Sequence, residues 1–276
     1  MPATRFYTPS ALVGGNVVAL PDDEAQHATR VLRLRAGAAI RVFDGRGHEV
    51  DAVIEQVGKT GVLVRVGPAR TPVAEPRVAV TLVQAVLKGD NMDDAVRDAV
   101  MMGVSAIQPI VTARSEITLA ALARSRRRER WERVVVSSAK QCGRAVVPPV
   151  LEPREFPGNG FVPGWNQASD GAENDAVPDA HLASEPGSEV GPTFMLVEPG
   201  ALSETVSARM VSLSELDPIA PRQATIIIGP EGGWTLEEIE RGAAVGHLVT
   251  LGARTLRADS MAVVALAALF AVWGEF

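Results

Sequence analysis

Beyond residue 76 the chain alternates two patterns, and together they restrict its fold more than any other feature. Near-continuous apolar runs of strand length are each closed by a turn containing Gly, Pro or Asn, and apolar positions at helical spacing come between them. Val78 to Val86 leads through Lys88-Gly89-Asp90-Asn91 into Met92, Ala95, Val96, Ala99 and Val100, which is helical spacing. Gly103 is placed to end that helix, and Val104 to Ile110 follows as a second run, so the segment reads as a βαβ unit. Phe194 to Val197 and Thr225 to Ile228 repeat the pattern. Strands apolar on both faces need a helical layer on each side, which predicts a parallel α/β sheet.

The first 72 residues follow a different pattern. Ile40 to Phe43, Val50 to Val57 and Val62 to Val66 are short β-branched runs separated by turn residues such as Asp44-Gly45-Arg46-Gly47, and they predict a small barrel. Pro72 and Pro76 mark the join between the two patterns, so the 276 residues divide into a barrel at 1–72 and an α/β domain at 73–276. Residues 157–192 carry almost no periodic apolar pattern and read as a long acidic loop-like insertion.

Composition excludes several classes. A hydrophobic share of 46% and a charged share of 22% describe a folded globular chain. Cys142 is the single cysteine, so no internal disulfide forms, and the four dispersed histidines show no metal-ligand spacing. A metal-free protein of a reducing, cytoplasmic compartment is expected, and the first residues show no pattern of a secretory or transit peptide. The longest apolar run, Met261 to Trp273, has 13 residues where a membrane span needs about 20, so it predicts a buried helix and no membrane partner.

The net charge of −6 hides a division. Residues 151–192 hold eight acids and one base, whereas residues 111–147 hold nine bases and three acids. The guanidinium fork suits bidentate phosphate contacts, so the second stretch is read either as a nucleic-acid surface or as a solvated helix face.

Two segments carry the chemistry. In the first, the strand at Thr225 runs into Gly229-Pro230-Glu231-Gly232-Gly233, and a helix then starts with Thr235 and Glu238 at capping-box spacing. Such a turn lets a ligand approach the backbone closely, and it also fits a plain strand-to-helix connection. It is neither a P-loop nor a GxGxxG turn. In the second, a short strand at Val249 passes Gly252 into Arg254, Arg257 and Asp259 ahead of the apolar helix. An ion pair plus a helix cap by Asp259 or Ser260 would account for that pattern equally well. Trp131, Trp234 and His27 read as packing or turn residues.

Together these two segments resemble the signature of the ribosomal RNA small subunit methyltransferase E family. Arg5-Phe6, His27 with Val31-Leu32-Arg33, Phe43-Asp44-Gly45-x-Gly47, Lys88-Gly89-Asp90-x-Met92-Asp93, Arg114-Ser115 and Gln141-x-Gly143-Arg144 extend the resemblance along most of the chain. It implies a PUA-like RNA-binding barrel followed by a SPOUT-class α/β domain tied in a deep trefoil knot. The implied cofactor is S-adenosylmethionine, held by Leu196, Val197 and Glu198, by Ile228, Gly229, Pro230, Gly232 and Gly233, and by Leu251, Gly252, Thr255 and Leu256. The implied reaction is methylation of N3 of a uridine in 16S rRNA of the small ribosomal subunit, by a homodimer. One departure stands out. Where the family usually reads Leu-Arg-Thr-Glu-Thr-Ala, this chain reads Leu256-Arg257-Ala258-Asp259-Ser260-Met261, with a carboxylate one methylene shorter.

For that chemistry Arg257 is expected to stabilise the uracil anion while Asp259 or Glu231 takes the N3 proton. N3 lies on the pairing edge, so the uridine must be unpaired or extruded. With aromatics at 4%, arginines rather than stacking platforms are expected to hold RNA: Arg5, Arg33, Arg35, Arg114, Arg126, Arg127, Arg128 and Arg144. Two alternatives remain at this point: a non-catalytic ribosome-assembly factor, and a SPOUT enzyme with another RNA target.

Overall fold

The structure is a computed structural model that describes residues 4–58, 61–156, 191–199, 210–212 and 215–276. The acidic insertion therefore lies almost wholly outside the described residues. The chain divides into two compact units, Met1–Glu75 with Val135–Val147, and Pro76–Val134 with Pro148–Phe276.

The first unit is a five-stranded sheet made of β1 (Arg5–Tyr7), β2 (Val17–Ala19), β3 (Ala39–Phe43), β4 (Glu49–Gly58) and β5 (Gly61–Arg70) in the order β1-β3-β4-β5-β2. Only β1 and β3 run parallel. Strand periodicity sends Val50, Ala52 and Ile54 of β4, and Val62, Val64 and Val66 of β5, to one face. There they form a single core with Phe6, Ile40 and Val42 and with Ala25 and Ala28 from the short helix α1 (Asp22–Gln26) and the π turn after it. The turn after β3 is organised by Asp44, whose buried carboxylate accepts the backbone N–H groups of Arg46 at 2.8 Å and His48 at 3.1 Å. Gly45 and Gly47 take up the positive φ this turn requires, at 77° and 97°.

Val135–Val147, which a division at residue 72 leaves with the second domain, packs in the first unit. The reason is a set of ties invisible along the chain. Val147 N–H donates to Gly45 O at 2.9 Å, Lys140 Nζ pairs with the buried Glu24 at 2.6 Å, and the Arg5 guanidinium donates to the carbonyls of Ala139, Lys140 and Arg144.

The second unit holds a seven-stranded sheet in which every pair is parallel, as the doubly apolar runs predict. Its strands are β6 (Ala79–Ala85), β7 (Ala106–Val111), β8 (Arg154–Glu155), β9 (Thr193–Leu196), β10 (Met210–Ser212), β11 (Gln223–Ile228) and β12 (His247–Thr250), in the order β10-β12-β9-β11-β6-β7-β8. The helices are α2 (Asn91–Met102), α3 (Leu119–Ala123), α4 (Arg127–Cys142, whose second half is in the first unit), α5 (Leu236–Val245) and α6 (Ala258–Val272). Gly103 ends α2 at φ 103°, and Thr235 with Glu238 closes a capping box on α5, both as expected. One side of the sheet is cored by Val83, Ile110, Met195, Ile227, Trp234, Ile239 and Leu248. Among the described residues no helix is long and apolar enough to cross a membrane.

Candidate active site

Parallel strands deliver their carboxyl ends to one edge of the sheet, where a ligand crevice is the general expectation. Here the ends of β9 and β11 and the segment between β12 and α6 line a cavity of about 380 Å³. Leu196, Val197 and Glu198 come from β9 and the residues after it, Ile228, Gly229, Pro230, Glu231 and Gly233 from β11 and its turn, Thr255, Leu256 and Arg257 from the approach to α6, and Asp259 from its first turn. Nine of the twelve expected cofactor residues and all three expected catalytic residues therefore meet. Gly232, Leu251 and Gly252 do not line the cavity.

The turn after β11 is packed to a close tolerance. A Cβ on Gly229 would lie 2.8 Å from Trp234 Cε2, and the Trp234 indole is held in place because its Nε1–H donates to Leu196 O at 2.8 Å. Trp234 is thus the expected packing residue and also part of the cavity wall. Gly233 adopts φ 68°, and Arg114 Nη1 donates to Gly232 O at 2.9 Å. Behind the turn, the buried Glu238 accepts Thr235 N–H through Oε2 and Ala113 N–H through Oε1, both at 2.8 Å, which ties the exit of β7 to the head of α5.

Polar groups at the cavity form two arrangements. Arg257 grips Asp259 with both arms of the fork, Nε to Oδ1 at 3.1 Å and Nη2 to Oδ2 at 2.6 Å, and the Ser260 hydroxyl adds a bond to Oδ1 at 3.3 Å. That hydrogen bonding from Arg257 holds the Asp259 carboxyl below its ordinary value and raises the already high value of Arg257. Arg257 is itself the N-terminal cap position of α6 by backbone conformation, so the cap expected at Asp259 or Ser260 is displaced to it, while the expected ion pair is present. In the second arrangement Glu231 Oε1 accepts Lys88 N–H at 2.9 Å and Asn91 Nδ2–H at 3.3 Å. The Lys88 ammonium pairs with Glu116 at 2.6 Å, which raises its pKa.

Asn91, Ala258 and Met261 complete the lining and were not singled out by sequence. Asn91 follows the Lys88-Gly89-Asp90 turn directly, a signal that was available. Met261 was hidden inside an all-apolar helix.

The arginines expected to bind RNA separate into two groups. Arg5 and Arg144 are nearly buried and engaged internally, Arg5 with Glu49 and Arg144 with Glu75. Arg128 pairs with Glu132 and Glu152, and Arg114 holds Gly232. Arg33, Arg35 and Arg126 are exposed, and Arg127 is half-buried. Arg33 sits at φ 53°, in the left-handed region that residues other than glycine seldom occupy.

Comparison with known proteins agrees with this site. A family model described as an RNA methyltransferase domain matches residues 74–160 and 201–270, and an RNA methyltransferase PUA domain model matches residues 20–67. The Ribosomal RNA small subunit methyltransferase E of Synechocystis sp. is 30% identical over 257 residues, 92% of this chain and 73% of that relative. The chain belongs to the ribosomal RNA small subunit methyltransferase E family. Among solved structures, the family member from Neisseria gonorrhoeae bound to S-adenosyl methionine is 28% identical with a TM-score of 0.76, and covers 98% of each chain. A Legionella pneumophila protein in complex with bound SAM is 25% identical with a TM-score of 0.79, again over 98% of each chain.

Proposed function

We propose that this protein transfers the methyl group of S-adenosylmethionine to N3 of a uridine in 16S rRNA. The observation that carries the reading is the meeting of three strand-end segments and the Arg257–Asp259 pair on one cavity, in a chain of this methyltransferase family.

The cavity fits that cofactor. Its volume is in the range of small-molecule sites, and three carboxylates, Glu198, Glu231 and Asp259, against Arg257 give an acidic lining suited to a molecule that carries a sulfonium and an ammonium group. The close-packed Gly229 leaves backbone where a side chain would intrude. Leu196 to Glu198, Ile228 to Pro230, Gly233, Thr255 and Leu256 would hold the cofactor, which supplies an electrophilic methyl group when bound. Arg257 is the cation at the cavity, with 76% of its side chain exposed and Nη1 engaged by no described residue. A guanidinium there stabilises the negative charge that develops on the uracil oxygens when N3 loses its proton.

Three further parts of the reading have support of their own. Helix α6 is apolar on every side, yet Val264 and Ala271 are exposed and Val263, Ala267 and Ala268 only half-buried, a stripe that begins two turns after Arg257. A second copy of the chain covering it would make the homodimer of the family. The strand order supports the trefoil knot. From β9 the chain goes to the edge strand β10, crosses to β11 on the far side of β9, and crosses back to β12 between the first two, a threading that open sheets otherwise avoid. Arg33 and Arg35 in the first unit, and Arg126 and Arg127 in the second, are the side chains offered to RNA phosphates. Such a reaction takes place in the cytoplasm with the ribosome.

The test is nucleoside mass spectrometry of unmodified small ribosomal subunits after incubation with the protein and S-adenosylmethionine. Formation of 3-methyluridine in 16S rRNA is expected. Tight subunit binding without methylation would instead make this an assembly factor.

A further inference from the structure

Of the three carboxylates on the cavity wall, two already hold hydrogen bonds: Glu231 through one oxygen and Asp259 through both. Both donors to Glu231, the backbone N–H of Lys88 and the side-chain amide of Asn91, land on the same oxygen, Oε1. Lys88 belongs to the turn between β6 and α2 and Asn91 is the first residue of α2, whereas Glu231 belongs to the turn after β11. Because β6 and β11 are hydrogen-bonded neighbours in register up to Gln84 and Ile228, Glu231 latches the two adjacent strand exits together. Asp259 has both oxygens on the Arg257 fork and one also on the Ser260 hydroxyl. The Arg257 fork favours the ionised form of Asp259, and a proton acceptor that is most stable ionised is a weak one.

We propose that Glu231 and Asp259 are positioning residues and that the N3 proton leaves to water. Glu231 fixes the Gly229 to Gly233 turn against the head of α2, and Asp259 aims the guanidinium of Arg257. The N3 proton leaves to water in an equilibrium that precedes methyl transfer, the N3 lone pair of the resulting anion then forms the bond to the methyl carbon, and the carbon–sulfur bond breaks with its electrons on sulfur. The inference rests on the methyltransferase reading above.

The latch gives a sharp test. In Glu231→Gln the amide oxygen still occupies the position that receives Lys88 N–H and Asn91, but it has no affinity for a proton at neutral pH. Single-turnover methylation of unmodified small subunits, followed by nucleoside mass spectrometry on the full chain, should fall no more than about fivefold in Glu231→Gln and by some tens-fold in Glu231→Ala, whereas loss of a general base costs about 100-fold to 10,000-fold in both. The fall in Glu231→Ala should appear as weaker S-adenosylmethionine binding in calorimetry, because the turn it anchors lines the cavity. Among the described residues, the ionisable side chains on the cavity wall are Glu198, Glu231, Arg257 and Asp259. With none of them accepting the proton, the wild-type rate should climb about tenfold per pH unit from about pH 6 to about pH 8, and Asp259→Asn should keep that slope at a lower rate. A flat wild-type profile over that range, or a hundredfold fall in Glu231→Gln with cofactor affinity intact, overturns the proposal. Absence of methyl product with the wild type overturns the methyltransferase reading, and this assignment with it.

Discussion

Replacing Arg5 by Met tests whether that arginine serves the fold or the RNA. Its Nε and Nη2 donate to the two oxygens of Glu49 at 3.2 and 3.1 Å, Nη1 donates to the carbonyls of Ala139 at 3.0 Å and Lys140 at 2.9 Å, and Nη2 also reaches Arg144 O at 3.0 Å. The guanidinium lies 4.6 Å from the centroid of the Phe43 ring. Ala139 and Lys140 are in the last turn of α4, where the Ala139 carbonyl also accepts Gly143 N–H at 3.1 Å. Arg5 and Glu49 are only 11% and 6% exposed, so solvent screens the pair little. Removing one partner of a buried ion pair costs about 3–5 kcal/mol, mostly through the charge left behind, here Glu49. For a chain of this size that is a fall in Tm of roughly 10 °C, read by calorimetry or circular dichroism. The double variant Arg5→Met with Glu49→Met should recover much of the loss, because no uncompensated charge remains. RNA affinity, measured at a temperature where both proteins are folded, should change little. An Arg5→Met protein that melts within about 2 °C of wild type and binds RNA at least about tenfold more weakly would refute the argument and return Arg5 to the phosphate contacts.

Three further outcomes follow from the same contacts. Gly229→Ala should weaken S-adenosylmethionine binding in calorimetry by more than about tenfold, since the new methyl group meets the hydrogen-bonded Trp234 ring, and it should destabilise the fold by about 1–3 kcal/mol as overpacking does. Val264→Asp puts a charge on the exposed apolar stripe of α6 and should shift sedimentation from dimer to monomer without lowering the melting temperature of the monomer, because Val264 already meets solvent in a single chain. RNA affinity should fall steeply with salt, and the paired change Arg126→Ala with Arg127→Ala should lower the slope of log affinity against log salt by about one to two, as loss of one or two phosphate contacts requires.

What the sequence made legible were features whose causes lie within a few residues of each other. The doubly apolar run at Thr225 to Ile228, the capping pair Thr235 and Glu238, and the helix stop at Gly103 each depend on a local rule, and each is present in the fold. That Glu231, Arg257 and Asp259 line one cavity was legible for a related reason, since the glycine turn and the start of α6 carry them in short motifs. What was not legible lies where a partner is remote. Arg5 and Arg144 look like free cations along the chain, yet Glu49 and Glu75, 44 and 69 positions away, occupy them. The hydrogen bonds of Glu231 were hidden in the same way. As one letter in a glycine-rich turn it reads as a carboxylate without partners, whereas Lys88, 143 positions earlier, donates its N–H to one of its oxygens. A side chain's type states what it can bind, whereas its availability is decided by the other end of the chain. For a charged residue the second question outweighs the first, because a buried charge must be answered by an opposite charge or hydrogen bonds before it can serve a ligand.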